Sequence, residues 1–174
     1  TVEVVVADLG VVETVAVCPG MPEQPFPLFP DAPPTQIHAA AAWDGDGIWM
    51  VFNMVGNPEA EDKELGVFAA KIACDGSLIV SPVRLDTPGL GNSVDPDLAL
   101  SPDGGIAAIW QTDTGVFPVN LHGWVRVVGA DGNPVDEPQA VVTWTGGVDT
   151  PASLWMTRIA ALPDAGFRLA ASWA

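Results

Sequence analysis

The chain has 174 residues, with 22 Asp and Glu against 6 Lys and Arg, for a formal net charge of −16. The few cations are scattered singly, so neither a nucleic-acid backbone nor an anionic membrane surface is an expected partner. No apolar run approaches the roughly 18 residues of a spanning helix, so membrane insertion is not expected, and a hydrophobic content of 48% with seven Trp excludes a disordered chain.

The sequence opens at Thr1 without Met, and a processed product or internal fragment is expected. Thr1–Asp8 and Val11–Val17 flank Leu9-Gly10 and predict an N-terminal β-hairpin over 1–17. Cys18–Gln36 carries seven Pro, which lack a donor and fix φ, so 18–36 reads as an extended linker or loop. Cys18 and Cys74 are the two cysteines, and either one disulfide or two buried thiols accounts for them. The lack of Tyr, the few Lys and the acidic surface suit an extracytoplasmic location, periplasmic, secreted or cell-surface, where a disulfide is ordinary.

From residue 37 onward, short β-rich runs recur between turn residues. Ile37–Trp43, the turn Asp44–Gly47 and Ile48–Met54 predict one hairpin. Asp97–Leu100, Ser101–Gly105 and Ile106–Gln111 predict a second, and Arg158–Leu162, Pro163–Gly166 and Phe167–Ala174 a third. The glycine before each second strand falls at Gly47, Gly105 and Gly166, and an aromatic residue closes each at Phe52, Trp110 and Trp173. In phase with these, Gly66–Ala73 and Ser77–Leu85 flank Asp75-Gly76, while Leu121–Val128 and Asn133–Val142 flank Asp131-Gly132. Asp-Gly between alternating apolar runs is a strong hairpin signal, because Gly takes positive φ cheaply. Glu59–Ile72 is the competing helical segment, with helix formers and a Glu59/Lys63 pair, but Gly66 and the β-rich run beyond it favour a strand.

Four strands per period read as β-propeller blades. Residues 37–95 form one blade, 96–155 a second and 156–174 a partial third; the hairpin 1–17 supplies the strand type that would be c and d of a shared blade. Three blades do not close a ring, so the expected fold is all-β and incomplete, completed by more chain, another copy or a partner polypeptide.

Asp95–Trp110 reads DPDLALSPDGGIAAIW. Its Pro96, Ser101, Pro102, Asp103, Gly104, Ile106 and Ala107 resemble the WD40-like β-propeller repeat of TolB-type proteins. Leu162–Gly166 is a weaker copy and Asp44–Gly47 weaker still. The resemblance implies propeller architecture and an exported protein, not a substrate.

Chemistry is less legible. Asp44-Gly-Asp46-Gly47 begins like a calcium loop, but Ile48 and Val55 stand where an EF-hand needs oxygen ligands. Glu59, Glu61, Asp62 and Glu64 form an acidic loop that a cation would suit, or a solvated charge cluster; no cofactor is expected, Ca2+ being the one ion these acids would take. His38 and His122 lack a recognisable partner motif, and no GxSxG occurs. Trp110 and Trp173 read as core; Trp43 or Trp49 is a candidate for exposure beside the first turn. The loops around Trp144 and across Pro88–Asp95 share a face with the acidic loop, so the candidate ligand-binding residues are Trp144, Asn92, Asp95, Glu61 and Asp62. The expected function is an exported β-propeller-type binding module that recognises protein or carbohydrate through loops on one face. A hydrolase or lyase with an acidic pocket, and a structural subunit of a larger surface assembly, are the alternatives.

Overall fold

A computed structural model describes residues 38–55, 64–113, 120–145, 154–162 and 166–173. Among these residues the chain is all-β and antiparallel, without helix. The first sheet contains β1 (Ala39–Trp43), β2 (Ile48–Val55), β3 (Leu65–Ile72) and β4 (Leu78–Arg84) in that order. The second contains β5 (Asn92–Leu100), β6 (Ile106–Asp113), β7 (Asn120–Val128) and β8 (Gln139–Thr145), also in chain order. β9 (Leu154–Ala161) and β10 (Phe167–Trp173) form a two-stranded sheet. Every pairing joins strands adjacent in sequence, so each sheet is a meander, and the sheets do not close on themselves among the described residues. β5 lies beside both β1 and β9, so the first strands of the three sheets are neighbours.

Period-2 alternation decides what each strand buries. In β6, Ile106, Ala108 and Trp110 face the first sheet, where they meet Trp49 and Val51 of β2 and Val67 and Ala69 of β3. The intervening Ala107 and Ile109 face the third sheet and meet Ile159 of β9. A strand buried on both faces needs apolar residues at consecutive positions, and IAAIW supplies them. Each large side chain so buried contributes roughly 1.5–3 kcal/mol. On the other face of the first sheet, Phe52 and Phe68 stack with ring centroids 6.2 Å apart.

At one end of the sheets the strands are joined by tight turns of a single design. In Ala73–Ser77, Ser101–Gly105 and Gly129–Asn133, the first residue's N–H donates to the fifth carbonyl at 2.8, 2.9 and 2.9 Å. The fourth N–H donates back to the first carbonyl, and the fifth N–H points at the third residue's Asp carboxylate. The turns start at 73, 101 and 129, a constant step of 28. Each has Gly fourth, with φ of +85°, +88° and +84°, where any side chain would be strained. The repeated Gly47 and Gly105 have a different cause. A Cβ on Gly47 would lie 2.7 Å from the Ile72 carbonyl, and one on Gly105 would clash with that of Val128. These are equivalent places, since Ile48 pairs with Ile72 and Ile106 with Val128.

Several boundaries differ from expectation. The β5 strand begins at Asn92, inside the segment expected to be loop, because a bulge between Val94 and Asp97 accommodates Pro96 without breaking the ladder. The β8 strand starts at Gln139, not Asn133: Pro134 and Pro138 donate no hydrogen bond, and the preceding stretch is held by a bridge from Val128 to Pro134, the Val135 N–H to Val127 carbonyl bond (3.0 Å) and Arg126 Nε donating to the Asp136 carbonyl at 2.6 Å. Leu65–Ile72, part of the competing helical segment, is strand β3. The hairpin 1–17, the linker 18–36 and the acidic residues 59–63 lie outside the described residues.

Candidate functional site

The turn end is electrostatically closed. The Asp44 carboxylate accepts from the backbone N–H of Asp46 at 3.0 Å and of Gly47 at 2.9 Å, and it pairs with Lys71 Nζ at 2.8 Å. Lys71 also reaches Asp46 at 3.3 Å and lies over the Trp49 ring. Burial pushes Asp44 up and Lys71 down, yet their mutual hydrogen bond, with the amides on Asp44 and the second acid on Lys71, outweighs it: Asp44 sits below its usual range and Lys71 above. The first carboxylate of the expected calcium-type start is thus engaged within the protein. Asp75, Asp103 and Asp131 are lowered too, by hydrogen bonds from Ser77, Ser101 and Asn133 side chains and from turn backbone amides. Trp49, a candidate for exposure, is fully buried, and its indole N–H donates to the Gly104 carbonyl at 3.1 Å. That bond ties the first sheet to the second.

The opposite end, where β2 leads to β3 and β4 leads to β5, is polar inside. Asp86 accepts from the Val67 N–H at 3.1 Å, Arg84 Nε at 2.9 Å and Ser93 Oγ at 3.1 Å. Ser93 Oγ also meets Thr112 Oγ1 at 3.2 Å across the β5–β6 pair. Asn53 donates to the Ser93 carbonyl at 2.6 Å, which links the first sheet to the second here as Trp49 does at the other end. Its own Oδ1 is buried without a partner. An unpaired buried acceptor costs about 1–3 kcal/mol, so this end is less well satisfied than the turn end.

On the β5 bulge, Asp95 has φ of +51°, in the left-handed region that Asp tolerates better than most side chains. Its Oδ1 lies 3.0 Å from His38 Nδ1, just before β1, and its Oδ2 accepts from Gln111 Nε2 of β6. Gln111 is 5% exposed and its Oε1 is buried without a partner. His38 has a 60% exposed side chain. A carboxylate, an imidazole and an amide from three strand ends therefore meet at one place.

Of the expected site residues, Asn92 and Asp95 lie on β5 at this end. Asn92 is exposed and its Oδ1 accepts the Leu65 N–H at 3.0 Å, so it fastens the start of β3. The Trp144 backbone is in β8, paired with Leu121, at the far edge of the sheet from β5; nothing joins it to Asp95 in strand order. Glu61 and Asp62 lie outside the described residues, as does Cys18; Cys74 is disulfide-bonded. His38 does have a partner, Asp95, 57 positions away, which no local motif could announce. His122 Nδ1 lies 3.3 Å from Thr143 Oγ1, and its ring tilts against Trp124. The buried polar set Asn53, Asp86, Ser93, Gln111 and Thr112 was not singled out from the sequence. The one available signal was polar residues at inward positions of otherwise apolar strands, as in IAAIWQT. Among the described residues, no group of three or more His, Cys, Asp and Glu is placed to hold a metal ion. No family model, no curated protein and no solved structure matches this chain.

Proposed function

We propose that the chain is an exported β-propeller-type interaction module that binds through the polar end, where His38, Asp95 and Gln111 meet. The observation that carries this reading is the adjacency of β1, β5 and β9, the first strand of each sheet, as in blades arranged around an axis. That arrangement brings the starts of successive sheets together, and His38 and Asp95 belong to two of them. The disulfide at Cys74 suits an oxidising compartment. A second copy, more chain or a protein partner completes the ring, and a protein or carbohydrate is the bound species. Native mass spectrometry and sedimentation test the ring: an assembly larger than one 18.1 kDa chain is expected, and a stable, soluble lone monomer overturns it.

A hydrolase or lyase on the same scaffold is the second reading, favoured by the His38–Asp95 contact, which has the geometry of a base held by its orienting carboxylate. Turnover of a glycoside or ester substrate that is abolished in His38→Gln would favour it over binding alone.

A further inference from the structure

Resting on the ring reading, we infer that the edge of β10 turned away from β9 takes up residues 11–17 of a second copy of this chain, so that two copies exchange these segments and close one ring of six sheets. The third sheet is cut short where the other two continue. β10 stands where β2 and β6 stand: the turn before each closes with the same backbone bond, from the N–H of Asp44, Ser101 and Leu162 to the carbonyl of Gly47, Gly105 and Gly166, at 3.1, 2.9 and 2.7 Å. β2 pairs onward with β3 and β6 with β7, whereas β10 pairs only with β9 among the described residues. Burial shows the consequence. The third to fifth residues after the turn glycine are Ala108, Ile109 and Trp110 in β6, all buried, and Leu169, Ala170 and Ala171 in β10, all exposed. Glycine marks the place of the further strand as well. Gly47 and Gly105 leave room for the carbonyls of Ile72 and Val128, which end β3 and β7, and Gly166 stands at the same position before β10.

The occupant follows from the disulfide. Cys74 is disulfide-bonded, and Cys18 is the other cysteine of the chain. Cys74 lies in the turn Ala73–Ser77 of the first sheet. Its equivalent in the second sheet, Gly129–Asn133, leans on the sheet before it: a Cβ on Gly132 would run into Val80 of β4. By the same geometry the Cys74 turn leans on whatever sheet precedes the first, so a Cys18–Cys74 bridge places the run Val11–Val17 in that preceding sheet, ending at the turn end. A strand that ends there runs antiparallel to β10, which starts there, and sets the Val17 carbonyl at Gly166. The run does not reach the third sheet of its own chain, because the second sheet stands between the first and the third, with a core cluster on each side. The third sheet of another copy meets the requirement. Thr1–Asp8 then forms the fourth strand. The ten described strands with these two make twelve per chain, so two copies fill six four-stranded sheets, within the size range of known rings. The exchange also covers an edge that would otherwise invite aggregation.

Native mass spectrometry and sedimentation of the full chain read the ring, and variants of β10 read the exchange. Wild type is expected as two copies. The bond from Leu162 to Gly166 and the β9–β10 register turn the Leu169 N–H away from β9, so that amide is expected to resist hydrogen exchange in the dimer. Gly166→Ala sets a methyl against the incoming carbonyl, and Leu169→Pro removes the outer N–H without touching the β9 ladder. Each is expected to weaken dimerisation about tenfold or more, the scale of one or two lost hydrogen bonds, with the circular dichroism of the separated chains unchanged. Val135→Ser, at a 67% exposed site, should shift it less than about twofold. Isotopically heavy chains carrying Val15→p-benzoylphenylalanine, refolded with light wild type, are expected to crosslink to light β10. Crosslinks confined to heavy chains would mean closure within one chain and overturn the exchange. A two-copy assembly that both β10 variants leave intact, or in which the Leu169 amide exchanges freely, would overturn the exchange while the ring reading stands; a stable lone monomer overturns both.

Discussion

The two ends of the sheets solve the same problem, joining antiparallel strands, in opposite ways. At the turn end every described Asp of the tight loops points at backbone amides or at Lys71, and Asp44, Asp75, Asp103 and Asp131 all sit below their ordinary range. At the other end the polar groups run inward, Asn53 and Gln111 each keep an acceptor without a donor, and Asp95 holds a left-handed backbone. Evolution places strain and unmet polar groups where binding or chemistry compensates. The contrast separates an end whose carboxylates are engaged by amides and Lys71 from the end at which binding is proposed.

Substitutions sharpen that contrast. The largest effect belongs to the buried anchor of the turn end: Trp49→Ala should cost about 3–5 kcal/mol, read from the urea midpoint, because a fully buried indole and its bond to Gly104 are both lost. Gly105→Ala should cost about 3 kcal/mol, since its Cβ would clash with the Val128 carbonyl, a backbone atom of the paired strand β7. A melting drop of several degrees is the corresponding signal, at roughly 2–4 °C per kcal/mol for a chain of this size.

Lys71→Met should cost roughly 1–3 kcal/mol by leaving Asp44 half-paired in a buried site. It should also alter the pH profile. Asp44 is lower in the folded state than its reference 3.8, so its contribution is present above that value and is lost as pH falls through the folded one. Lys71 is raised above 10.5, so its contribution is present below that value and is lost as pH rises through the folded one. The wild type should therefore weaken below about pH 4 and above about pH 10.5, and the alkaline arm should flatten in Lys71→Met.

The smallest effect is expected at the polar end. Asp95→Gly relieves a side chain at a left-handed position, worth about 1 kcal/mol, but leaves the buried Gln111 amide without its acceptor, at about 1–3 kcal/mol, so a net loss of about 1 kcal/mol is expected. A loss of several kcal/mol would make Asp95 a structural residue.

The strands and turns were legible because their causes are local. Asp-Gly at 75–76 and 131–132 marks two hairpins, since only Gly takes their φ cheaply, and consecutive apolar residues in IAAIW mark a strand covered on both faces. The bulge at Asp95-Pro96 and the late start of β8 were less so, because Pro is read locally as a break while a sheet can absorb it in a bulge.

The sequence alone determined the antiparallel hairpins and their turns, because periodicity, glycine and proline act within a few residues. The tertiary structure decided which polar side chains meet. His38 and Asp95 touch only because β1 and β5 lie side by side, Asn53 reaches Ser93 only across two sheets, and Gly47 and Gly105 are required by carbonyls two strands' length away in the chain. Contacts of that kind depend on how strands pair and how sheets pack together, which no local pattern of residues encodes.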